Sequence, residues 1–141
     1  MFLLDTNVVS ELRKARQGKA DPQVVLWAQA QEPTDLYLSV ITIQELEIGI
    51  LLAERKDKVQ GARLRLWFNE QVLPVFYGRV LPIDQAVALV SAALHVPDPR
   101  PVRDGLIAAT AMVHAMTVVT RNVADFEPTG VAVFNPWLFR P

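Results

Sequence analysis

The sequence predicts an α/β fold in which helices cover both faces of a parallel sheet. Two observations lead to this prediction. Short apolar segments alternate with segments of helical pattern along the whole chain, and neither a repeat nor a linker interrupts the alternation. Short apolar strands separated by helices are typical of a parallel sheet, because each parallel pair of strands needs a crossover connection.

Length and composition predict one domain that spans residues 1–141. The hydrophobic share of 51% is ample for a packed core, and the charged share of 21% is ordinary for a soluble surface. A chain of this size buries roughly two-thirds of the surface that its unfolded form exposes. We therefore expect a single hydrophobic core.

The N-terminal segment predicts a strand followed by two helices. Residues 1–4, with the sequence MFLL, are expected to form a short buried strand. Thr6 or Asn7 is placed to cap a helix over VVSELRK. The segment PQVVLWAQAQ predicts a second helix with Pro22 near its first turn, where a missing backbone N–H is tolerated.

The central segment predicts a strand, two helices and a further strand. The strand is DLYLSVI, and Thr42 is expected to cap the helix IQELEIGILLAER. Glu45 would then be its third residue, as in a capping box. The apolar residues of ARLRLWFNEQVL fall roughly on one helical face, and RVLPI predicts the third strand.

The C-terminal segment completes the alternation. Asp84 is expected to cap the helix DQAVALVSAALH, and the proline-rich VPDPRPVR predicts a stiff loop. Asp104 stands near the start of the helix DGLIAATAMVHAM. TVVT predicts a fourth strand and VAVFNP a fifth, which gives a central sheet of four to five strands.

Charge and composition exclude several classes of protein. The net charge is −1, which gives no support to general coating of nucleic acid. Cysteine is absent, so disulfides and thiolate metal sites are excluded and a reducing cytoplasm is expected. MFLL meets Asp5 too early to form a signal peptide, and the apolar stretches are too short to span a bilayer. We expect a soluble cytoplasmic protein with no membrane partner.

Acidic and amide side chains fall where a parallel sheet binds its ligands, beyond the carboxyl ends of the strands. Asp5 directly follows the first strand, and Glu45 lies in the first turn of the helix after the second strand. Asn122 and Asp125 follow TVVT, whereas Asp104 begins the helix that leads into that strand. The fold must bring Asp104 across to the others.

Carboxylates gathered at one place repel each other, and their pKa values rise unless a cation intervenes. Mg²⁺ prefers oxygen ligands and would neutralise such a group. A bound divalent ion polarises a phosphoryl group and activates water, which suits phosphodiester hydrolysis. Taken singly, each acid also has a structural interpretation as a turn residue, a helix cap or a partner of a helix dipole.

Four segments together carry a family resemblance. They are LLDTNVVSEL, SVITIQELEIGI, RDGLIAATAMVHAMTVVTRNVADF and VAVFNPW. The set resembles the PIN-domain family, and within it the VapC/FitB-type branch of bacterial toxins, from Met1 to about Trp137.

The resemblance implies a three-layer α/β/α sandwich and an Mg²⁺- or Mn²⁺-dependent endoribonuclease. It also implies a toxin inhibited by a small DNA-binding antitoxin, and a homodimer or higher assembly. Carried over by position, Asp5 and Asp104 would be the principal metal ligands, and Glu45 would contribute directly or through water.

The fourth acidic position departs from the pattern of similar toxins, which often place an aspartate directly after TR. Asn122 stands there in this chain, and Asp125 follows three residues later. Asn122 offers a carbonyl oxygen without charge, so the number of metal ions is left open. The family pattern assigns supporting roles to the polar residues Thr6, Asn7, Thr120 and Arg121, of which the last two are candidates for orienting ligands or facing phosphate.

Other chemistry-bearing residues have structural interpretations. His95 and His114 are expected to pack, since nothing pairs them as ligands. Trp27, Trp67 and Trp137 are expected in the core or an interface rather than as stacking platforms for bases. Basic side chains near the first helix are expected to be solvated, with contact to RNA phosphates as the alternative; these are Arg13, Lys14, Arg16 and Lys19.

Two other functional classes stay open from the sequence alone. One is a catalytically weak or silent module that binds an antitoxin or RNA, for which Asn122 is the reason. The other is a phosphatase or phospho-receiver, which also places an aspartate after a strand. No lysine follows Lys58, which disfavours a receiver.

Overall fold

The computed structural model describes residues 1–141 and contains one sheet of five strands. Each neighbouring pair of strands is parallel, and the strand order is β3-β2-β1-β4-β5. The strands are β1 Phe2–Leu4, β2 Leu36–Ser39, β3 Val80–Leu81, β4 Thr117–Val119 and β5 Val133–Phe134. The parallel sheet predicted from the alternating pattern is therefore confirmed.

Eight α-helical segments connect and cover the strands. They are α1 Thr6–Arg13, α2 Pro22–Gln29, α3 Val40–Lys56, α4 Lys58–Trp67, α5 Leu73–Val75, α6 Gln85–Leu94, α7 Val102–Val113 and α8 Val123–Phe126. A π-helical turn, Phe68–Val72, joins α4 to α5. None of the helices combines the length and the apolar character that crossing a bilayer demands.

Two hydrophobic clusters lie on opposite faces of the sheet. Successive side chains of a strand point to opposite faces. Accordingly, Leu3 belongs to one cluster and Leu4 to the other, and Val118 and Val119 divide in the same way. All four side chains are fully buried. This division produces the three-layer α/β/α arrangement, with β1 and β4 at its centre.

Two predicted helix caps are wrong, because each helix begins earlier in the chain. Asp5, not Thr6 or Asn7, caps α1 by accepting the Thr6 backbone N–H at 2.8 Å. Ser39, not Thr42, caps α3: its hydroxyl accepts the Ile41 N–H at 3.0 Å as β2 ends. Ser39 is the last residue of β2 and Asp5 directly follows β1, so in both places the helix follows the strand without a loop.

The earlier start of α3 changes the position of its acid. Glu45 is the sixth helical residue rather than the third of a capping box. Thr42 is fully buried inside the helix. Because side chains three apart share a helical face, Thr42 and Glu45 lie together and face the start of α1.

A close helix–helix contact joins α3 and α4. Asp57 ends α3 and caps α4, and Gly61 lies directly against Glu54. A Cβ atom at residue 61 would stand 2.5 Å from the Glu54 Cα atom. Arg65 adds ion pairs from α4 to Glu47 at 2.7 Å and to Glu54 at 3.1 Å.

We expect Gly61→Ala to destabilise the protein although alanine favours helix. The Cβ atom would meet backbone that cannot move without separating α3 from α4, and overpacking of this kind costs about 1–3 kcal/mol. Gly49→Ala is the matched control: Gly49 is also helical and has open space around it. Its free energy of unfolding should rise by up to about 1 kcal/mol, because alanine favours helix over glycine. Urea unfolding of both variants checks this, and equal effects would contradict the contact.

Candidate active site

A polar cavity of about 440 Å³ opens at the carboxyl end of β1. Its wall contains carboxylates, hydroxyls, amides and two basic side chains, with a single hydrophobic residue. The lining residues are Asp5, Thr6, Asn7, Ser10, Glu11, Lys14, Glu45, Asp104, Arg121, Asn122 and Trp137. The position agrees with the rule that parallel sheets bind ligands beyond the carboxyl ends of their strands.

Asp5 is the buried centre of the cavity and is only 4% exposed. Its Oδ1 accepts the Thr6 N–H at 2.8 Å, and its Oδ2 accepts the Thr120 hydroxyl at 2.8 Å and the Asn7 amide at 3.3 Å. Burial raises the pKa of Asp5, although the hydrogen bonds from Thr120 and Thr6 oppose the rise. The nearby charges of Glu45 and Asp125 raise the pKa further.

Glu45 is held by the first residue of α1. Thr6 Oγ1 donates to Glu45 Oε1 at 2.7 Å and lies 3.2 Å from the Thr42 hydroxyl oxygen. On its other side, Glu45 Oε2 is 3.7 Å from Arg103 Nε. The face that Glu45 shares with Thr42 therefore places this carboxylate beside Asp5.

Asp104 brings the third carboxylate from the first turn of α7. Burial, followed by the charges of Asp5, Asp125 and Glu45, raises its pKa to about 6, and only Arg103 opposes the rise. Mutual influence of this kind shows that the acids lie within electrostatic reach of one another. The fold has brought Asp104 across to the ends of the strands, as the sequence analysis required.

The segment after β4 closes the cavity with an amide and a guanidinium. Thr120 is fully buried behind Asp5, and its hydroxyl also accepts the Asn122 N–H at 3.0 Å. The Arg121 N–H donates to Asn7 Oδ1 at 3.3 Å. Asn122 lines the cavity, whereas Asp125 is exposed on α8 and contributes its charge from outside the wall.

The donor set suits a hard divalent cation, with one restriction. Four carboxylates line the cavity, but no three acidic, histidine or cysteine side chains converge closely enough to hold an ion by themselves. Asp5 already accepts three hydrogen bonds, which leaves about one of its four acceptor positions free. These residues fit a cation such as Mg²⁺, which keeps several waters and takes only one or two carboxylates directly.

Several residues that line the cavity were not predicted from the sequence. Ser10 and Glu11 were not singled out, although with Asn7 and Lys14 they form a polar stripe at helical spacing along α1. That spacing was visible in the sequence. Trp137 was expected only in the core or an interface, but it also forms part of the cavity wall.

Neither histidine lines the cavity. His95 Nδ1 accepts the Arg100 N–H at 3.1 Å, and its ring packs against Gly105 between α6 and α7. His114 stands at the C-terminal end of α7, and its Nε2 atom has no hydrogen-bond partner. The prediction that both histidines serve packing agrees with these positions.

Comparison with known proteins gives a family and two similar curated proteins. The family described as PIN domain matches residues 2–128. Toxin FitB of Neisseria gonorrhoeae is 41% identical over 145 residues, which cover 97% of this chain and 99% of that protein. VapC ribonuclease Y4jK of Sinorhizobium fredii is 39% identical over 145 residues, with 97% and 98% covered.

Two solved structures are similar to this chain over nearly its whole length. The crystal structure of FitAcB from Neisseria gonorrhoeae matches with a TM-score of 0.89 and 38% identity, over 99% of this chain and 100% of that one. A toxin–antitoxin complex from Klebsiella pneumoniae matches with a TM-score of 0.66 and 28% identity, over 96% and 98%.

We expect Asp104→Asn to flatten the pH dependence of stability in the metal-free protein. With a pKa of about 6, the folded state holds the Asp104 proton more tightly than the unfolded chain, whose pKa is near 3.8. This group therefore adds stability that is complete below pH 3.8 and is lost as the pH rises through about 6. The variant has no such loss.

The measurement is urea unfolding in chelator at about pH 4 and about pH 8. From about pH 4 to about pH 8, the free energy of unfolding of the variant should rise relative to that of wild type by on the order of 1 kcal/mol. The difference is small because solvent screens a half-buried group. Asp98→Asn is the control, because Asp98 is exposed and forms no side-chain hydrogen bond. Parallel profiles for wild type and Asp104→Asn would contradict the coupling of the acids.

Proposed function

The chain belongs to the PIN domain family, and from this membership and the cavity we propose that it is a metal-dependent endoribonuclease that acts as the toxin of a toxin–antitoxin pair. One observation carries the proposal. Asp5, Glu45 and Asp104 are separated by at least 40 residues, yet they line one cavity. The names of the similar proteins, a toxin and a ribonuclease, support the same activity.

We assign Asp5 and Asp104 as the principal metal ligands, with Glu45 acting directly or through a water molecule. Asn122 offers its carbonyl oxygen from the cavity wall, and Asp125 adds negative charge from α8. A bound Mg²⁺ or Mn²⁺ would polarise the RNA phosphodiester and make a bound water acidic enough to attack it. Mg²⁺ is our first choice, because the ligands are all oxygens and water must complete the coordination.

The surrounding polar residues hold these oxygens in place. Thr120 and Asn7 fix Asp5 Oδ2, while Thr6 fixes Glu45 Oε1. Each of these donors is itself part of α1 or of the end of β4, so the carboxylates are oriented before any ligand arrives. Preorganised ligands lose less freedom when a cation binds, which favours both binding and catalysis.

A second cavity offers a place for the antitoxin. It has a volume of about 240 Å³, shares Thr6, Ser10 and Glu45 with the polar cavity, and extends over apolar residues of α3 and α4. These residues are Leu46, Ile50, Leu64 and Trp67. An apolar segment of a partner seated here would end beside Glu45, so the same contact would bind the toxin and block RNA. The toxin–antitoxin complex among the similar structures supports such a partner.

Purified protein should cut single-stranded RNA only with Mg²⁺ or Mn²⁺, and chelation should stop the cutting. Asp5→Asn should reduce cleavage by at least about a hundredfold, because it removes a charged ligand rather than an outer residue. The same change should abolish growth arrest when the protein is expressed without its antitoxin. A variant that cuts as well as wild type would overturn the assignment of Asp5.

Thr120→Val tests whether the hydrogen bond to Asp5 matters. We expect cleavage to fall about 10- to 100-fold, as is usual when a group that orients a metal ligand is lost. Thr110→Val is the matched control: Thr110 is equally buried, but its hydroxyl bonds to Leu106 within α7 at 2.8 Å. Activity that falls equally in both variants would indicate general destabilisation instead.

The alternative function is a silent binding module. Asn122 and the lack of a preformed three-ligand cluster favour it. Calorimetric titration with metal distinguishes this module from the enzyme. An enzyme should bind Mg²⁺ or Mn²⁺ in the wild type and lose that binding in Asp5→Asn. A silent module should show no metal binding that depends on Asp5.

A further inference from the structure

We propose that Arg121, held over the ring of Trp137, forms a subsite that binds a backbone phosphate of the RNA beside the phosphate that is cut. The Arg121 guanidinium carbon lies 5.2 Å from the centre of the Trp137 ring, and both residues line the polar cavity. The proposal rests on the nuclease function proposed above and assigns a substrate contact to Arg121, which Trp137 positions.

Arg121 is the one basic side chain near the cavity that forms no ion pair, although its charge acts on Glu11 from a longer distance. Lys14 is 3.2 Å from Glu11. Arg103, which stands beside Asp104, is 3.7 Å from Glu45. Arg121 forms neither an ion pair nor a side-chain hydrogen bond, and it is exposed. Its five N–H donors are therefore available to a ligand, and their planar fork matches two oxygens of a phosphate.

Contacts at both its backbone and its side chain hold Arg121 in position. Its backbone N–H donates to Asn7 Oδ1 at 3.3 Å, and the amide of Asn7 donates in turn to Asp5 Oδ2 at 3.3 Å. Its guanidinium lies over the ring of Trp137, and the backbone N–H of Trp137 donates to Asn135 Oδ1 at 3.0 Å. The Arg121 charge is therefore held at a set distance from the buried carboxylate.

The charges of the cavity also favour a phosphate contact at Arg121. An RNA strand that enters this cavity meets the carboxylates of Asp5, Glu45 and Asp104, and the net charge of −1 gives the strand no general attraction. A free guanidinium at the rim attracts the strand where the acids repel it. Arginine above an aromatic ring is also more weakly hydrated than lysine, so its transfer from water to a phosphate costs less.

The ligand is a phosphate rather than a base, because Arg121 already lies over the Trp137 ring. Arg121 covers one side, and the side chain is half-buried against the larger hydrophobic cluster. A base would have to displace the guanidinium before it reached the indole. The phosphate instead meets the exposed N–H groups directly.

The test compares Arg121→Gln with Lys56→Gln in cleavage of a single-stranded RNA with Mg²⁺. Lys56 is an exposed cation at the end of α3, about 16 Å along the helix from Glu45, and it lines no cavity. We expect Arg121→Gln to raise KM about tenfold with kcat nearly unchanged, since one charge-assisted contact is lost. The slope of log KM against log salt should fall by about 0.7, as for one phosphate contact on a single strand.

Two further variants separate charge from geometry. Arg121→Lys should keep the salt slope but raise KM, because the charge remains and the fork does not. Trp137→Leu should raise KM in the same direction as Arg121→Gln by freeing the guanidinium. If Trp137→Leu does not fold, Trp137→Phe replaces it: the smaller aromatic face holds the guanidinium less well, so KM should rise, but by less than for Arg121→Gln.

The subsite is refuted if Arg121→Gln changes KM and the salt slope no more than Lys56→Gln does. A fall in kcat with KM unchanged refutes it too, since Arg121 would then act on the reaction and not on binding. Binding of fluorescent RNA in chelator is measured as well, because it needs no turnover. If wild type binds but never cuts, and Arg121→Gln weakens that binding with the smaller slope, the subsite stands and only the nuclease proposal fails.

Discussion

Repulsion among the carboxylates at the carboxyl end of β1 is the constraint on which the rest of the site depends. Burial and the neighbouring charges raise the pKa values of Asp5 and Asp104, so the folded chain must hold these groups against an unfavourable field. Hydrogen bonds from α1 and from the end of β4 hold Asp5, whereas only the charge of Arg103 favours the ionised form of Asp104. The strand order places β1 between β2 and β4, which brings those donors and acceptors to one point.

The architecture could be predicted from the sequence because it depends on a repeated pattern rather than on any single residue. Each apolar segment that alternates with a helical one became a strand of the parallel sheet, including the two-residue strands β3 and β5. Asp5 and Glu45 were predictable for the same reason, because residues that follow different strands of a parallel sheet meet at one edge. Asp104 precedes β4, so only the family resemblance placed it with them. Asp5, Glu45 and Asp104 do line one cavity.

Local details were harder to predict because tertiary contacts decide them. Thr42 has the sequence environment of a helix cap, yet its hydroxyl lies beside that of Thr6, and Ser39 at the strand end takes the capping position. Trp137 has the size of a core residue, and its second contact is visible only when β4 brings Arg121 against it. Propensity describes neighbours in sequence, whereas these contacts join residues far apart along the chain.

Asp5 has a role both in folding and in the cavity. One of its side-chain oxygens caps the start of α1, and its carboxylate also lines the polar cavity. Asparagine caps helices as well as aspartate does. In cells selected for loss of this harmful activity, Asp5→Asn could therefore remove the charge without disturbing α1. The inactive protein would remain folded and would still bind the inhibitor. It would therefore change how much inhibitor is free, and its effect would differ from that of losing the protein.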